Sequence, residues 1–358
     1  MSRPERVIIC GGGAIGCAIA YFLSRHGAQP IVIERHTVAG SASGKSGGFL
    51  ARDWCRGSAL DQLARRSFDL HAELAEETGN PWSYRRLETL TGHAAEKGRL
   101  RITGRIGSPE TTAVVEPRAF TTGLMQAAEK NGAVLRHGTV ASLMRRPDGA
   151  VHGIVLDGGE SVEADAVVVA MGPWSILAAR WLPLPAVYGY KGHSLVFNSG
   201  DSTGKEALFL EYREASGEVL TPEIFPRADG TTWVCAISST GALPVNPADV
   251  MGDAGAHERL ERMCRAISPA LAASPIVARQ ACFRPVTEDS LPLLAPIRGA
   301  AGAYVAAGHN VWGILNAPAT GEAMAELILD GAAAHVDLSP FTPDRLPTLD
   351  PARLRAPV

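Results

Sequence analysis

The stretch Val7-Ile8-Ile9-Cys10-Gly11-Gly12-Gly13-Ala14-Ile15-Gly16 joins a short apolar run to a glycine-rich turn. A β-branched run cut off by glycines predicts a buried parallel strand over Val7–Cys10. From Ala14 to Arg25, Ile15, Ala18, Ile19, Phe22 and Leu23 recur on one helical face. Gly27 ends that helix, Pro30-Ile31-Val32-Ile33 reads as a second strand, and Glu34 closes it eighteen residues beyond Gly16. Strand, glycine turn, helix, strand and terminal acid stand at the offsets of a dinucleotide-binding βαβ unit.

Each part has a mechanical purpose. Gly11 permits a tight turn, Gly13 lets backbone approach a pyrophosphate, and Gly16 lets helix and strand pack closely. The helix start at Ala14 and Ile15 offers free N–H groups and a positive dipole end to phosphates. Glu34, with Arg35 beside it, is placed to meet the ribose of an adenosine half. NAD and FAD use the same unit, so the next segment matters. Ala39 to Gly48 is small and hydroxyl-rich, with Ser41, Ser43, Lys45, Ser46, Gly47 and Gly48. Such a loop is able to run along a pyrophosphate and reach a flavin ring. A flexible linker has the same composition, but linkers rarely interrupt a Rossmann unit this early.

The rest of the composition narrows the field. The chain has 358 residues, 46% hydrophobic and 20% charged, with a formal net charge of −3. That length suits two domains of roughly 150 residues or one composite domain. No basic stripe points to nucleic acid. The six cysteines are scattered, with no C-x-x-C and no Cys/His spacing suited to zinc, so no metal is expected. Nothing ahead of Val7 reads as a signal peptide, and no apolar run nears the ~18 residues that span a bilayer. The expectation is a cytoplasmic chain without a transmembrane segment.

Two later motifs complete the pattern. Val167-Val168-Val169-Ala170-Met171-Gly172-Pro173-Trp174-Ser175 is a buried strand stopped abruptly by Gly172 and Pro173. The other runs from Arg284-Pro285 through Gly308-His309 to Gly313-Ile314. With the first fingerprint and the Ser41–Gly48 loop, these motifs resemble the FAD-dependent oxidoreductases of the D-amino-acid oxidase superfamily, which includes glycine oxidase and sarcosine oxidase. Gly47-Gly48-Phe49-Leu50-Ala51, Asp53-Trp54-Cys55 and Ser108-Pro109-Glu110-Thr111-Thr112 resemble a little-characterised branch of it. The likeness covers nearly the whole chain.

The resemblance implies an α/β fold: a Rossmann-type FAD-binding domain with a discontinuous antiparallel-sheet substrate domain. Residues 1–79, 113–180 and 285–340 would form the FAD-binding part, 80–112 and 181–284 the substrate part, and 341–358 a C-terminal tail. Periodicity adds strands over 133–140, 151–156, 191–197, 207–212, 231–237 and 303–307, and helices over 249–268 and 317–329. Against the cofactor the resemblance places the fingerprint glycines, Val140 at the adenine, Ala170, Gly172 and Trp174 at the middle turn, and Gly308, Asn310, Trp312, Gly313 and Ile314 at the flavin. A helix N-terminus there suits the negative charge that reduced flavin carries. No cysteine stands near Gly308 to Asn316, where sarcosine oxidases attach flavin, so non-covalent FAD is expected. Lys45 and Lys191 are candidates for the oxygen-activating lysine of those enzymes.

For substrate, Arg284 has two readings: a clamp on a substrate carboxylate, or a structural ion pair with Glu288, Asp289 or another acid. His309 is either a direct participant or a capped surface histidine. Tyr212, Tyr188, Trp54 and Trp312 are candidate aromatic walls. The reaction implied is oxidation of a C–N bond in a small amine or amino acid: hydride to flavin N5, an imine product, and O2 as electron acceptor, yielding peroxide. A dehydrogenase with another acceptor, an NAD-linked enzyme, and an FAD-stabilised binding protein without catalysis stay open. The sequence leaves the oligomeric state undetermined.

Overall fold

The computed structural model describes residues 3–95 and 99–354. At its centre lies a six-stranded sheet built outward from the βαβ unit. Its strands are β1 (Arg6–Cys10), β2 (Gln29–Glu34), β5 (Val134–His137), β6 (Ala166–Val169), β12 (Leu293–Pro296) and β13 (Ala303–Ala307). Their order is β12-β13-β6-β1-β2-β5, all pairs parallel except β12 with β13. β1 and β6 are almost wholly apolar because both faces are covered.

One face carries α1 (Ala14–Arg25), α2 (Asp61–Thr78), α3 (Pro117–Lys130) and α5 (Gly313–Asp330), which share one hydrophobic core with the sheet. Val151–Leu156, with Val140–Arg145 and Ser161–Glu163, forms a small three-stranded sheet whose apolar residues cover the other face. α5 crosses α1 so closely that a Cβ at Gly321 would stand 2.6 Å from the Ala18 carbonyl carbon.

α5 is longer than the pattern over 317–329 predicts, and Pro318 lies inside it. Proline has no N–H to offer Ile314 O. His71 of α2 replaces it, with Nε2 donating to Ile314 O at 3.0 Å and to Leu315 O at 3.2 Å. The Ala319 N–H, which would serve Leu315, donates to Ser67 Oγ at 3.0 Å. Arg66 adds a two-pronged bond to Glu322 at 2.6 and 2.8 Å. α2 thus repairs and holds the helix whose first turn faces the site.

The second sheet comes from two separate segments. β3 (Thr89–Ala95) and β4 (Arg99–Gly107) are joined by β7 (Tyr188–Asn198), β8 (Ala207–Arg213), β9 (Glu223–Pro226), β10 (Thr231–Ser239) and β11 (Ile276–Val286). Their order is β11-β7-β10-β9-β8-β3-β4, and Val219–Leu220 pairs beside β8. The sheet is mixed rather than purely antiparallel: where the two segments meet, β8 runs parallel to β3. α4 (Ala256–Ile267) covers its outer face with Leu260, Met263, Cys264 and Ile267.

Two expected elements differ. The strand predicted over 133–140 is two strands in different sheets. The Gly138 N–H donates to Glu34 O at 3.0 Å as the chain turns, and Val140 begins a new strand. The helix predicted over 249–268 starts only at Ala256, because Gly255 takes the left-handed conformation at its cap and 247–249 form a separate 3-10 turn. The final segment packs on the body: Phe341 is fully buried and Arg345 pairs with Asp289 at 2.6 Å. Residues 355–358 of the expected tail lie outside the described residues.

Candidate active site

The two sheets enclose a cavity of 730 Å³ that runs from the β1–α1 turn to the inner face of the second sheet. At one end, Gly11 has φ +116°, and a Cβ there would stand 2.4 Å from Ala170 O. At Gly16 a Cβ would meet Gly11 O at 2.0 Å, so this glycine closes turn on helix and does not line the space. A Cβ at Gly13 would meet only Ser43 Oγ, at 3.2 Å, and otherwise project into open space. Such a cradle exists only without side chains.

Glu34 receives two backbone hydrogen bonds, from Gly12 N–H at 2.7 Å and His36 N–H at 2.8 Å. A carboxylate has about four lone-pair sites, so acceptor capacity remains. Ser43 Oγ accepts the Ala14 N–H at 2.9 Å, tying the 41–48 loop to the start of α1. The second sheet holds the same loop from the other side. Trp233 Nε1 donates to Lys45 O at 3.0 Å, and the buried Arg227 donates to Ser46 O at 2.7 Å. Lys45 reaches back to Ala281 O at 3.1 Å, and burial lowers its ammonium pKa. Composition made a flexible linker conceivable here; the loop is instead clamped between two layers.

At the opposite wall Gly308 (φ +85°) and Asn310 (φ +51°) shape the turn before α5. His309 is buried, not a surface cap. Its Nε2 meets Thr320 Oγ1 at 3.1 Å, and burial lowers its pKa to about 3, so it is neutral at ordinary pH. Ser46 Oγ and His309 Nδ1 are buried polar atoms with no hydrogen-bond partner among the described residues. Both residues line the cavity.

The inner face of the second sheet forms the last wall. Strand alternation decides which side chains reach it. On β9, Glu223 and Phe225 face the cavity while Ile224 packs outward. Opposite them on β10 stand Cys235 and Trp233. On β8, Phe209 faces inward, and Leu208, Leu210 and Tyr212 join the core under α4. Arg284 donates to Ser238 Oγ at 2.6 Å and lies over the Tyr190 ring, 5.5 Å from its centroid.

The family model for FAD dependent oxidoreductases, DAO, matches residues 6–107 and 84–327. The chain belongs to this family. Among its relatives is an oxidoreductase of Schizosaccharomyces pombe, 29% identical, with 94% of this chain and 98% of the relative covered. The glycine oxidase of Geobacillus kaustophilus is 27% identical over 96% of this chain and 97% of its own. The crystal structure of glycine oxidase from that organism superposes with a TM-score of 0.80 at 25% identity, covering 96% and 99%. A D-amino acid dehydrogenase of Methylobacterium nodulans is 26% identical, covering 93% and 98%.

The cavity suits the cofactor of the DAO family. A side-chain-free turn fits a pyrophosphate, Glu34 keeps acceptor capacity, and the two orphaned polar atoms await partners. Of the residues singled out from sequence, Gly11, Gly13, Ala14, Ile15, Glu34, Arg35, Ser41, Ser43, Lys45, Ser46, Gly47 and Gly48 line it. So do Val140, Ala170, Gly172, Trp174, Arg284, Gly308, His309, Asn310, Trp312, Gly313 and Ile314.

Other expectations are corrected. Tyr212 is in the core, because strand period turns it away from the cavity. Tyr188 is 52% exposed and is not among the lining residues. Lys191 is engaged by Asp253 at 2.7 Å, and Lys45 is the lysine at the cavity. Asp289 pairs with Arg345 rather than with Arg284. Sequence reading missed Phe209, Glu223, Phe225, Trp233, Cys235 and Cys282. Alternation on β9 and β10 was the available signal, but it does not say which face is inward.

Proposed function

We propose that this chain oxidises the C–N bond of an amino acid. The observation that carries the reading is one cavity with a nucleotide cradle at one end and Arg284 on the sheet at the other. FAD, when bound, supplies a two-electron acceptor that protein side chains lack. Gly11, Gly13 and the start of α1 would take its pyrophosphate, Glu34 and Arg35 its ribose, and the 41–48 loop and Gly308–Ile314 its ring system. With no cysteine in the Gly308–Asn316 turn, the binding we propose is non-covalent. Residues 80–112 and 181–284 would form the substrate-facing part and the remainder to 340 the cofactor-facing part.

Arg284 binds the substrate carboxylate through its planar guanidinium, which the Ser238 hydroxyl and the Tyr190 ring already orient. That grip sets the Cα–H toward the ring end of the cavity, where orientation is the protein's main contribution. The first turn of α5 puts a positive dipole end at that wall. His309 stays uncharged there and takes no proton. Loss of hydride from Cα leaves an iminium that water hydrolyses. O2 is the proposed electron acceptor, with Lys45 the lysine that lines the cavity.

The test is anaerobic mixing of purified holoenzyme with D- and L-amino acids, N-methyl amino acids, cyclic imino acids and simple amines. Bleaching near 450 nm, about where oxidised flavin absorbs, is expected with at least one of them. Holoenzyme that no member of the panel reduces would contradict the reading.

A further inference from the structure

Glu223 stands on β9, the middle strand of the second sheet, and lines the cavity. It pairs in register with Phe209 on β8 and Cys235 on β10. Its carboxylate accepts a long contact from Cys235 Sγ at 3.6 Å, and among the described residues no cation lies within ion-pair distance of it. A half-buried carboxylate that lines a cavity without a cation beside it is a group that a ligand can complete. Burial raises its pKa, and the field of Arg284 pulls it back down. Glu223 and Arg284 therefore share one wall of the cavity and interact at a distance, without forming an ion pair.

The sheet explains the separation. Arg284 is on β11 and reaches over Gly192 of β7, where a Cβ would stand 3.1 Å from its Nη2, to Ser238 of β10. Glu223 lies one strand further on, on β9. Two opposite charges held apart in one cavity form a receptor for a dipolar molecule. Around Glu223 the wall is aromatic: Phe225 stacks on Trp233 with centroids 5.4 Å apart, and Phe209 lies 5.3 Å from Phe225. Aromatic faces favour both a cation and an apolar substituent.

We infer that Glu223 receives the cationic nitrogen of the substrate while Arg284 holds its carboxylate, which makes the substrate class a zwitterionic amine bearing an apolar substituent. This rests on the C–N oxidation reading above and names the substrate class for it. An ammonium docked on Glu223 completes the half-buried carboxylate, and passing its proton to that carboxylate leaves the neutral amine from which hydride departs. A simple carboxylate without an amine meets Arg284 but also the repulsion of Glu223.

The test uses FAD-loaded enzyme and three non-zwitterionic probes followed by calorimetry: 2-phenylethylamine, 2-phenylethanol and phenylacetate. The amine should bind the native enzyme about tenfold or more tightly than the alcohol, since a charged hydrogen bond distinguishes them. Glu223→Gln should erase that preference and leave phenylacetate binding equal or tighter. Equal binding of amine and alcohol by the native enzyme, or an amine affinity unmoved by Glu223→Gln, would overturn the inference. The native comparison stands even if the variant loses FAD. Reduction of the enzyme by amino acids with no Glu223 effect removes this inference and leaves the proposed reaction intact. Amine binding through Glu223 without reduction by any amine does the reverse.

Discussion

The two ends of the cavity are built in opposite ways. The nucleotide end is backbone: glycines with positive φ, helix starts, and carbonyls pinned by distant donors. The substrate end is side chain: charges and rings projecting from one face of a mixed sheet. Backbone cradles tolerate few residue types and so leave local motifs. A sheet face is set by register, which is decided by pairings far apart in the chain.

The sharpest way to break that contrast is at Gly13. A valine there places its side chain where the pyrophosphate would lie, and its Cβ meets only Ser43 Oγ, at 3.2 Å. Gly13→Val should fold with native circular dichroism and lose essentially all FAD. Full FAD content in that variant would show that the nucleotide lies elsewhere. At the other end, Arg284→Ala should raise KM for a carboxylate-bearing substrate by the equivalent of about 2–5 kcal/mol while FAD content holds. An unchanged KM would remove Arg284 from the substrate wall.

The support beneath the start of α5 gives a smaller, pH-dependent effect. Burial lowers the His71 pKa to about 4 from the ordinary 6.5. Between those values the unfolded chain takes up a proton that the folded chain refuses. Stability from this site is therefore complete above about pH 6.5 and declines as pH falls toward 4. The unfolding midpoint of native protein should drop across that interval, and His71→Gln, which keeps a donor for Ile314 O, should flatten the slope. An identical slope in both proteins would mean that His71 is not held neutral. Smallest of all, Tyr212→Phe should leave KM and FAD content unchanged, because its ring belongs to the core under α4. A large KM change would return Tyr212 to the substrate wall.

Legibility followed the same division. The βαβ unit could be read nearly residue by residue: the helix is Ala14–Arg25 in both sequence pattern and structure. The Gly308–Ile314 turn was found through its glycines and the family likeness. Glu223 was invisible because Thr221-Pro222-Glu223-Ile224-Phe225 carries no local signature; its place on the cavity wall depends on pairing with β8 and β10. Tyr212 misled for the same reason, since an aromatic in a strand reads alike on either face. The start of α5 was misplaced because Pro318 reads as a helix boundary, whereas Ser67 and His71, some 250 residues earlier, repair the break.

The most direct test of the account is the visible spectrum of the purified native protein, followed by denaturation and separation of small molecules from polypeptide. The account predicts absorption near about 375 and 450 nm, one FAD per chain, and all of the colour released with the small molecules. A folded protein that carries no flavin and takes none up when FAD is added would contradict it.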